Sequence, residues 1–393
     1  MKTKTFTLCL PIVAITVQNN TSWLILSPFL QHLHFPMAMI GSLIALSPVL
    51  SLVSRVPTGM IYRPDRARML ISAAIAIMGV CSFLYSVART SLTFALVHGM
   101  NGFAYGAATT LYMAFYVDSL PPTENRSHAM GYYVGSLAVG YSTGNFLAGY
   151  VADRFGYDIA FHVAASLSVA GLILIGLIGR SPSRPSVKEN RAPLGRVRFR
   201  DSLKAISEPS MAEVVIVAIF LNFLNQVGGV FFPLYGLAIG LTLTQVGFIR
   251  AIYTLCNAVT RPLSGFIVTR FGHRRLSYGG FSLQSVLMTL VPLCTGFGSL
   301  LAVSTSTGFM RAVAVVSNAV GLVEDVDETR VQRGVASGIY NAAGDLGNIL
   351  GPGAGGLIAS LTGIGGLFVV APVGSIILFF AAVRGLNATQ RRW

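Results

Sequence analysis

The chain has 393 residues, of which 53% are hydrophobic and only 11% charged, with a mean hydropathy of +0.67. That is too little polar surface to cover a soluble globule of this size, so an integral membrane protein is expected. The formal net charge of +14 invites a nucleic-acid partner, which the placement of the charges argues against.

Apolar runs of about 20 residues, enough to cross a ~30 Å hydrocarbon core as helices, recur along the chain, without the period-2 alternation of a membrane barrel. In order they predict spans at 6–30, 37–60, 69–88, 92–117, 129–152 and 158–179, then 211–238, 243–267, 276–296, 299–322, 334–360 and 364–384. The first begins with Lys2 and Lys4 but has no small-residue cleavage site after a short apolar core. It also carries Asn19, Asn20 and Trp23, so it reads as a retained helix and not a signal peptide. The proline-bearing, charged stretch 181–209 reads as a cytoplasmic linker between two six-helix bundles, 1–180 and 210–393. The fold class is thus all-α, with twelve membrane helices in two bundles.

Of the Lys and Arg residues, only Arg89 and Arg154 fall in the loops of one side. Lys2, Lys4, Arg63, Arg66, Arg68, Arg126, Arg270, Arg274, Arg275, Arg330, Arg333, Arg384 and the linker fall on the other. By the positive-inside rule both termini and the linker are expected in the cytoplasm, with the chain multi-pass in the cytoplasmic membrane. Cys9, Cys81, Cys256 and Cys294 stand singly in apolar runs, without metal-ligand or redox spacing, and read as packing residues.

The chain also repeats itself. At an offset of 206, Asn19 pairs with Asn225, Gly41 with Gly247, Arg55 with Arg261 and Gly59 with Gly265. At 207, Arg126 pairs with Arg333, Gly131 with Gly338, Tyr133 with Tyr340, Gly140 with Gly347, Gly144 with Gly351 and Gly149 with Gly356. One residue inserted between Gly265 and Arg333 reconciles the offsets, and internal duplication in a membrane chain marks secondary transporters.

The run GNILGPGAGG, Gly347 to Gly356, resembles the GxxxGPxxGG pattern in the fifth helix of a half in the major facilitator superfamily. GYSTGNFLAG, Gly140 to Gly149, is its partner, with Asn145 in the proline position. GFIVTRFGHRR, Gly265 to Arg275, is similar to that superfamily's loop after the second helix, with Thr269 in an aspartate position. In the first copy, GMIYRPDRAR, Arg63 takes the aspartate slot and Arg66 a glycine slot, which leaves the family's charge latch without its acid in both copies. The resemblance implies two bundles rocking about a midplane site, lined by helices 1, 4, 7 and 10, with Arg55, Arg261, Gly59, Gly265, Gly351, Pro352, Gly355 and Gly356 as gating or packing positions.

Each of those four helices carries polar residues at helical spacing: Thr16, Asn19, Asn20, Trp23 and Ser27; His98, Asn101, Tyr105, Thr109 and Tyr112; Asn222, Asn225 and Gln226; Ser304, Thr307, Arg311 and Asn318. Arg250 and Asp345 add charge on the eighth and eleventh. An ionisable group in the bilayer centre costs at least ~2.5 kcal/mol, so these residues face a cavity or a partner. Two arginines against one aspartate suit an anionic solute, contacted by Arg311 and Arg250, with Asn225, Gln226, Asn19, Asn101 and Tyr105 as uncharged contacts. Asp345 and His98 are the candidate proton carriers. The plainer alternative pairs Arg311 with Asp345 only to fix two helices together.

The expected activity is secondary transport of a small anion across the bilayer by a monomer, driven by an ion gradient, with protons the expected ion and no cofactor, metal or catalytic residue. Export of drug-like hydrophobic compounds is the alternative. A literal GxSxG at Ser142 could with His162 make an intramembrane serine protease, but both this and the GxGxxG in GPGAGG lie within helices, without the strand-to-helix turns that give those motifs their chemistry.

Overall fold

A computed structural model of the chain describes residues 2–120, 125–178, 209–329 and 333–390. The expected linker 181–209 lies, up to residue 208, outside them. The described residues are all helical in architecture, as a bilayer requires of a chain that must satisfy its own backbone. The helices are α1 (Lys2–His32), α2 (Met37–Ile61), α3 (Ala67–Tyr85), α4 (Ser91–Ser119), α5 (Arg126–Phe155), α6 (Tyr157–Leu177), α7 (Pro209–Ala238), α8 (Leu243–Phe271), α9 (His273–Thr289) and α10 (Phe297–Thr329). The last run, Arg333–Gln390, breaks at Gly363, where φ is 75° and ψ 168°, and is two helices, α11 over 333–362 and α12 over 364–390. Twelve spans fit this arrangement.

By length and apolarity alone, eight of the uninterrupted helical runs among the described residues qualify to cross a membrane. α4, α5 and α8 fall short because polar residues and glycines interrupt their apolar runs. Side chains such as Leu92 and Leu96, or Val169, Ile173 and Leu177, stand exposed at one-turn spacing, the outward apolar face that lipid covers.

Two compact units make up the chain: Met1–Val187 with Phe232–Leu255, and Lys188–Phe231 with Cys256–Trp393. In the first, α1 packs on α5 and α6, α2 on α4, and α3 on α4 and α6. Its core joins Ile12 and Ile15 to Ile71, Ile75, Met78, Tyr112 and Tyr116. The Tyr116 hydroxyl donates to the Ala129 carbonyl at 2.8 Å, so the one polar atom of that ring is satisfied. In the second unit Phe379 stacks edge-on against Phe281 and Tyr278, each with centroids 5.0 Å apart.

Lipid tails are as apolar as leucine, so helices in a membrane hold together by close packing more than by hydrophobic burial. The repeated glycines supply it at equivalent places in both units. A methyl group on Gly144 would lie 2.7 Å from the Val17 carbonyl and 2.8 Å from Asn20 Cβ; on Gly351 it would lie 2.8 Å from the Phe223 carbonyl and 2.5 Å from Gln226 Cβ. Val17 and Phe223, like Asn20 and Gln226, are 206 residues apart. The α1–α5 seam is therefore rebuilt as the α7–α11 seam.

Candidate functional site

In the first unit almost every side chain of α1 from Ile15 to Leu30 is buried, while Asn19, Asn20 and Trp23 stay partly open. Asn20 Nδ2 donates to the Thr16 carbonyl at 3.2 Å. Opposite Trp23, the fully buried His98 of α4 stacks on the indole, with centroids 5.9 Å apart and planes 30° apart. Its Nε2 lies 3.3 Å from the Ile44 carbonyl and its Nδ1 2.7 Å from the Tyr85 hydroxyl. A carbonyl can only accept, so Nε2 carries the hydrogen and Nδ1 accepts from the tyrosine.

One turn along α4, Asn101 is 4% exposed and its Oδ1 has no hydrogen-bond partner among the described residues. Tyr105, a further turn on, shares a 2.7 Å hydroxyl pair with Tyr141 of α5. Arg55 on α2 is half-buried and within electrostatic reach of Tyr105, whereas the space beside Gly59 is open.

Arg250 also belongs to this unit, half-buried, with its guanidinium 4.6 Å above the Tyr253 ring. Around it the start of α8 runs along α5. Ser142 donates to the Ala251 carbonyl at 3.0 Å, Asn145 Nδ2 to Thr254 at 3.3 Å, and Thr244 to Asp153 at 2.5 Å. Gly149 and Gly247 meet backbone to backbone in the same seam. His162 instead lies 3.2 Å from Ser86, so the serine and histidine that a protease would need on each other are each engaged elsewhere.

The second unit holds Arg311, 8% exposed in the middle of α10. Its guanidinium donates to the Leu221 carbonyl and, at 3.2 Å, to Asn222 Oδ1, both on α7. Asn222 is in turn fixed by its Nδ2 on the Ala218 carbonyl at 2.9 Å. Gly347 makes room for it, since a methyl group there would lie 2.9 Å from Asn222 Cβ. Asn225 and Gln226, one turn further along α7, are partly open, as is Asp345 on α11. Arg261 donates to Asn257 Oδ1 at 3.2 Å, while Tyr340 stands within electrostatic reach of Arg261 and Arg311. Gly265 has open space beside it, whereas Gly355 lies against the Phe231 ring, and Pro352 is buried next to Gly351.

The structure thus brings Arg311 to Asn222, Gln226 to Gly351 and Tyr105 to Tyr141, and puts Arg311 and Arg250 in different units. Asn222, Tyr141, Tyr85 and Trp23 are the partners that sequence reasoning did not single out as site residues. Asn222 and Trp23 had a signal in their polar stripes; Tyr85, in an apolar run, had none.

The acids missing from the loop motifs are replaced from neighbouring helices. In the first unit Tyr62 donates to Asp118 at 2.7 Å, and burial, then that bond and charge, hold its phenol well above the usual range, so it stays a neutral donor. In the second, Glu213 takes Arg274 and Tyr278 together, and His273 meets Glu324 at 2.5 Å.

Comparison with known proteins agrees with this architecture. The family model of the Major Facilitator Superfamily matches residues 8–249 and 214–392. An uncharacterized MFS-type transporter of Methanocaldococcus jannaschii is 20% identical over 326 residues, 83% of either chain. The quinolone resistance protein NorA of Staphylococcus aureus is 31% identical over 151 residues, 38% of either chain. Among solved structures, a bacterial homolog of the human lysosomal transporter Spinster, inward-facing and unoccupied, superposes with a TM-score of 0.78 at 14% identity, covering 98% of this chain and 95% of that one. The nucleoside transporter NupG gives 0.79 at 15%, covering 98% and 99%.

Proposed function

The chain belongs to the major facilitator superfamily, and we propose that it carries a small anionic solute across the membrane by alternating access. The observation that supports this reading is Arg311: a guanidinium deep in a membrane helix, held by the Leu221 carbonyl and Asn222. A guanidinium keeps its charge under any physiological condition, and its fork of donors matches a carboxylate or phosphate. Arg250, Asn225, Gln226, Asn19, Asn101 and Tyr105 are the further contacts in this reading, and Arg55 and Arg261 serve the gates. Coupling to a proton gradient is assigned to Asp345. His98 has both ring nitrogens engaged, which suits a fixed neutral ring better than a proton carrier.

The test is counterflow of a panel of organic and inorganic anions in proteoliposomes, with Arg311→Ala beside the unaltered chain. Anion counterflow that the substitution abolishes supports the proposal; normal counterflow in the variant overturns it.

A second reading, export of drug-like compounds, is favoured by the similarity to the quinolone resistance protein. It expects expression of the chain to lower quinolone susceptibility of a sensitive host, and Arg311→Ala to leave that protection unchanged.

A further inference from the structure

We propose that Trp23 is a stacking platform for a planar aromatic ring of the transported solute, held in place by His98. The inference rests on the transport reading and adds a chemical class to it.

Tryptophan is the largest aromatic surface a chain can offer, and this one has only two, Trp23 and Trp393. Trp23 is partly open on a helix whose neighbouring side chains are buried. One face of its indole is covered by His98, which cannot rotate without giving up the Tyr85 hydroxyl on one nitrogen and the Ile44 carbonyl on the other. Phe94 stacks on the same imidazole at 5.4 Å and 27°, and the Tyr85 ring tilts against it at 5.9 Å. The indole is thus backed by a rigid tier of rings from α3 and α4, an arrangement that costs little ordering entropy when a ligand ring lands on its open part.

A second observation points to the same place. α1 and α4 cross the membrane in opposite directions, so Asn19, one turn before Trp23, and Asn101, one turn after His98, lie on the same side of the stacked pair. Asn101 Oδ1 is a buried acceptor without a partner among the described residues. Such an atom is destabilising unless something donates to it, and a ring bearing an N–H or O–H at its edge would do so. Asn19 shares the face of α1 that presents the indole. The subsite therefore takes a flat ring, to which a donor at the rim would add a bond to Asn101, a description that fits neither a saturated chain nor an inorganic ion.

The experiment uses the purified full chain with Trp393→Phe, which leaves Trp23 as the sole indole fluorophore. Benzoate is compared with cyclohexanecarboxylate, and phenyltrimethylammonium with cyclohexyltrimethylammonium, by emission quenching and by thermal shift. The expected result is saturable quenching by benzoate, with an apparent Kd roughly three- to tenfold below that of its saturated partner. By thermal shift, Trp23→Phe should keep that preference and Trp23→Leu should lose it while still binding cyclohexanecarboxylate. His98→Leu should shift Trp23 emission to the red and lower the aromatic preference without changing affinity for the saturated acid, which marks a positioning role. Equal affinity for flat and saturated partners, a preference that survives Trp23→Leu, or no saturable response to either aromatic probe overturns the platform. Quenching by the aromatic cation in place of benzoate keeps the platform and overturns the anionic reading.

Discussion

A methyl group on Gly149 would stand 3.0 Å from the Cα of Gly247, and one on Gly247 would stand 3.0 Å from the Cα of Gly149. Each glycine is at this position because the other helix's backbone occupies the volume a side chain would need. Overpacking of this kind costs about 1–3 kcal/mol, so Gly247→Ala should lower the melting temperature in detergent. Gly59→Ala and Gly265→Ala are the controls, since nothing lies within 4 Å of either added carbon. There the helix-propensity gain of alanine, about 0.5–1 kcal/mol, is unopposed. Equal melting temperatures for all three variants would show that the seam has room for the added methyl group. Gly247→Leu, which forces a whole side chain into the same space, should lower the counterflow proposed above while leaving the chain in the membrane.

Arg311 is predicted to respond to the charge of its neighbour as well as to its own removal. Asn222→Ala takes away one of its acceptors and should weaken anion counterflow by about tenfold or more, the scale of one charge-assisted hydrogen bond. Asn222→Asp sets a negative charge beside the guanidinium, so anion affinity should fall further than with alanine. Arg311→Lys keeps the charge and loses the fork that spans the Leu221 carbonyl and Asn222, and should lie between the two. Anion uptake that is unchanged in Asn222→Asp would mean that Arg311 does not meet the anion.

The cluster at Glu213 should be asymmetric to mutation. Its side chain is 10% exposed, that of Arg274 57%. Removing the arginine leaves a buried carboxylate to which, among the described residues, Tyr278 alone donates, a loss of about 3 kcal/mol. Glu213→Gln leaves an amide that still accepts from Tyr278 and an arginine that water can solvate, and should cost about 1 kcal/mol. Thermal unfolding of the two variants, in parallel, measures the difference; an equal loss, or a larger one for Glu213→Gln, contradicts the burial argument.

Much of the scaffold was legible in the sequence because membrane helices must be apolar and their close approaches need glycine. Gly140, Gly144, Gly347 and Gly351 announced themselves as a repeat, and the seams they form are equivalent in space. The site was less legible. Arg311 drew attention by its charge, but the atom it first donates to is the Leu221 backbone carbonyl, which no residue type encodes. Glu213 carries no signal of its own, since nothing in one dimension says that Arg274 and Tyr278 will return to it from another helix. The turns were legible only in part: Gly156 and Gly363, 207 residues apart, both adopt positive φ, at 86° and 75°, yet His34 and Gly240, 206 apart, share that conformation across different residue types.

That last pair carries a prediction. His34 has a φ of 62° and Gly240 one of 89°, and each ends a helix in the same way. The amides of His34 and Phe35 donate to the carbonyls of Gln31 and Leu30 at 2.9 and 3.1 Å; those of Gly240 and Leu241 donate to Leu237 and Gly236 at 3.0 and 2.9 Å. This is the helix end that glycine favours, because a Cβ in the left-handed region crowds the following carbonyl at a cost of about 1–2 kcal/mol. Glycine loses more freedom on folding, about 0.5–1 kcal/mol, so the exchange should still be favourable. The exposed His34 side chain has no hydrogen bond or ion pair to lose among the described residues. His34→Gly should therefore raise stability by about 0.5–1 kcal/mol, and Gly240→Ala should lower it by about 1 kcal/mol. Both are read from thermal unfolding of the purified chain. A melting temperature that falls in His34→Gly would show that the histidine side chain has a stabilising role that outweighs its strained backbone.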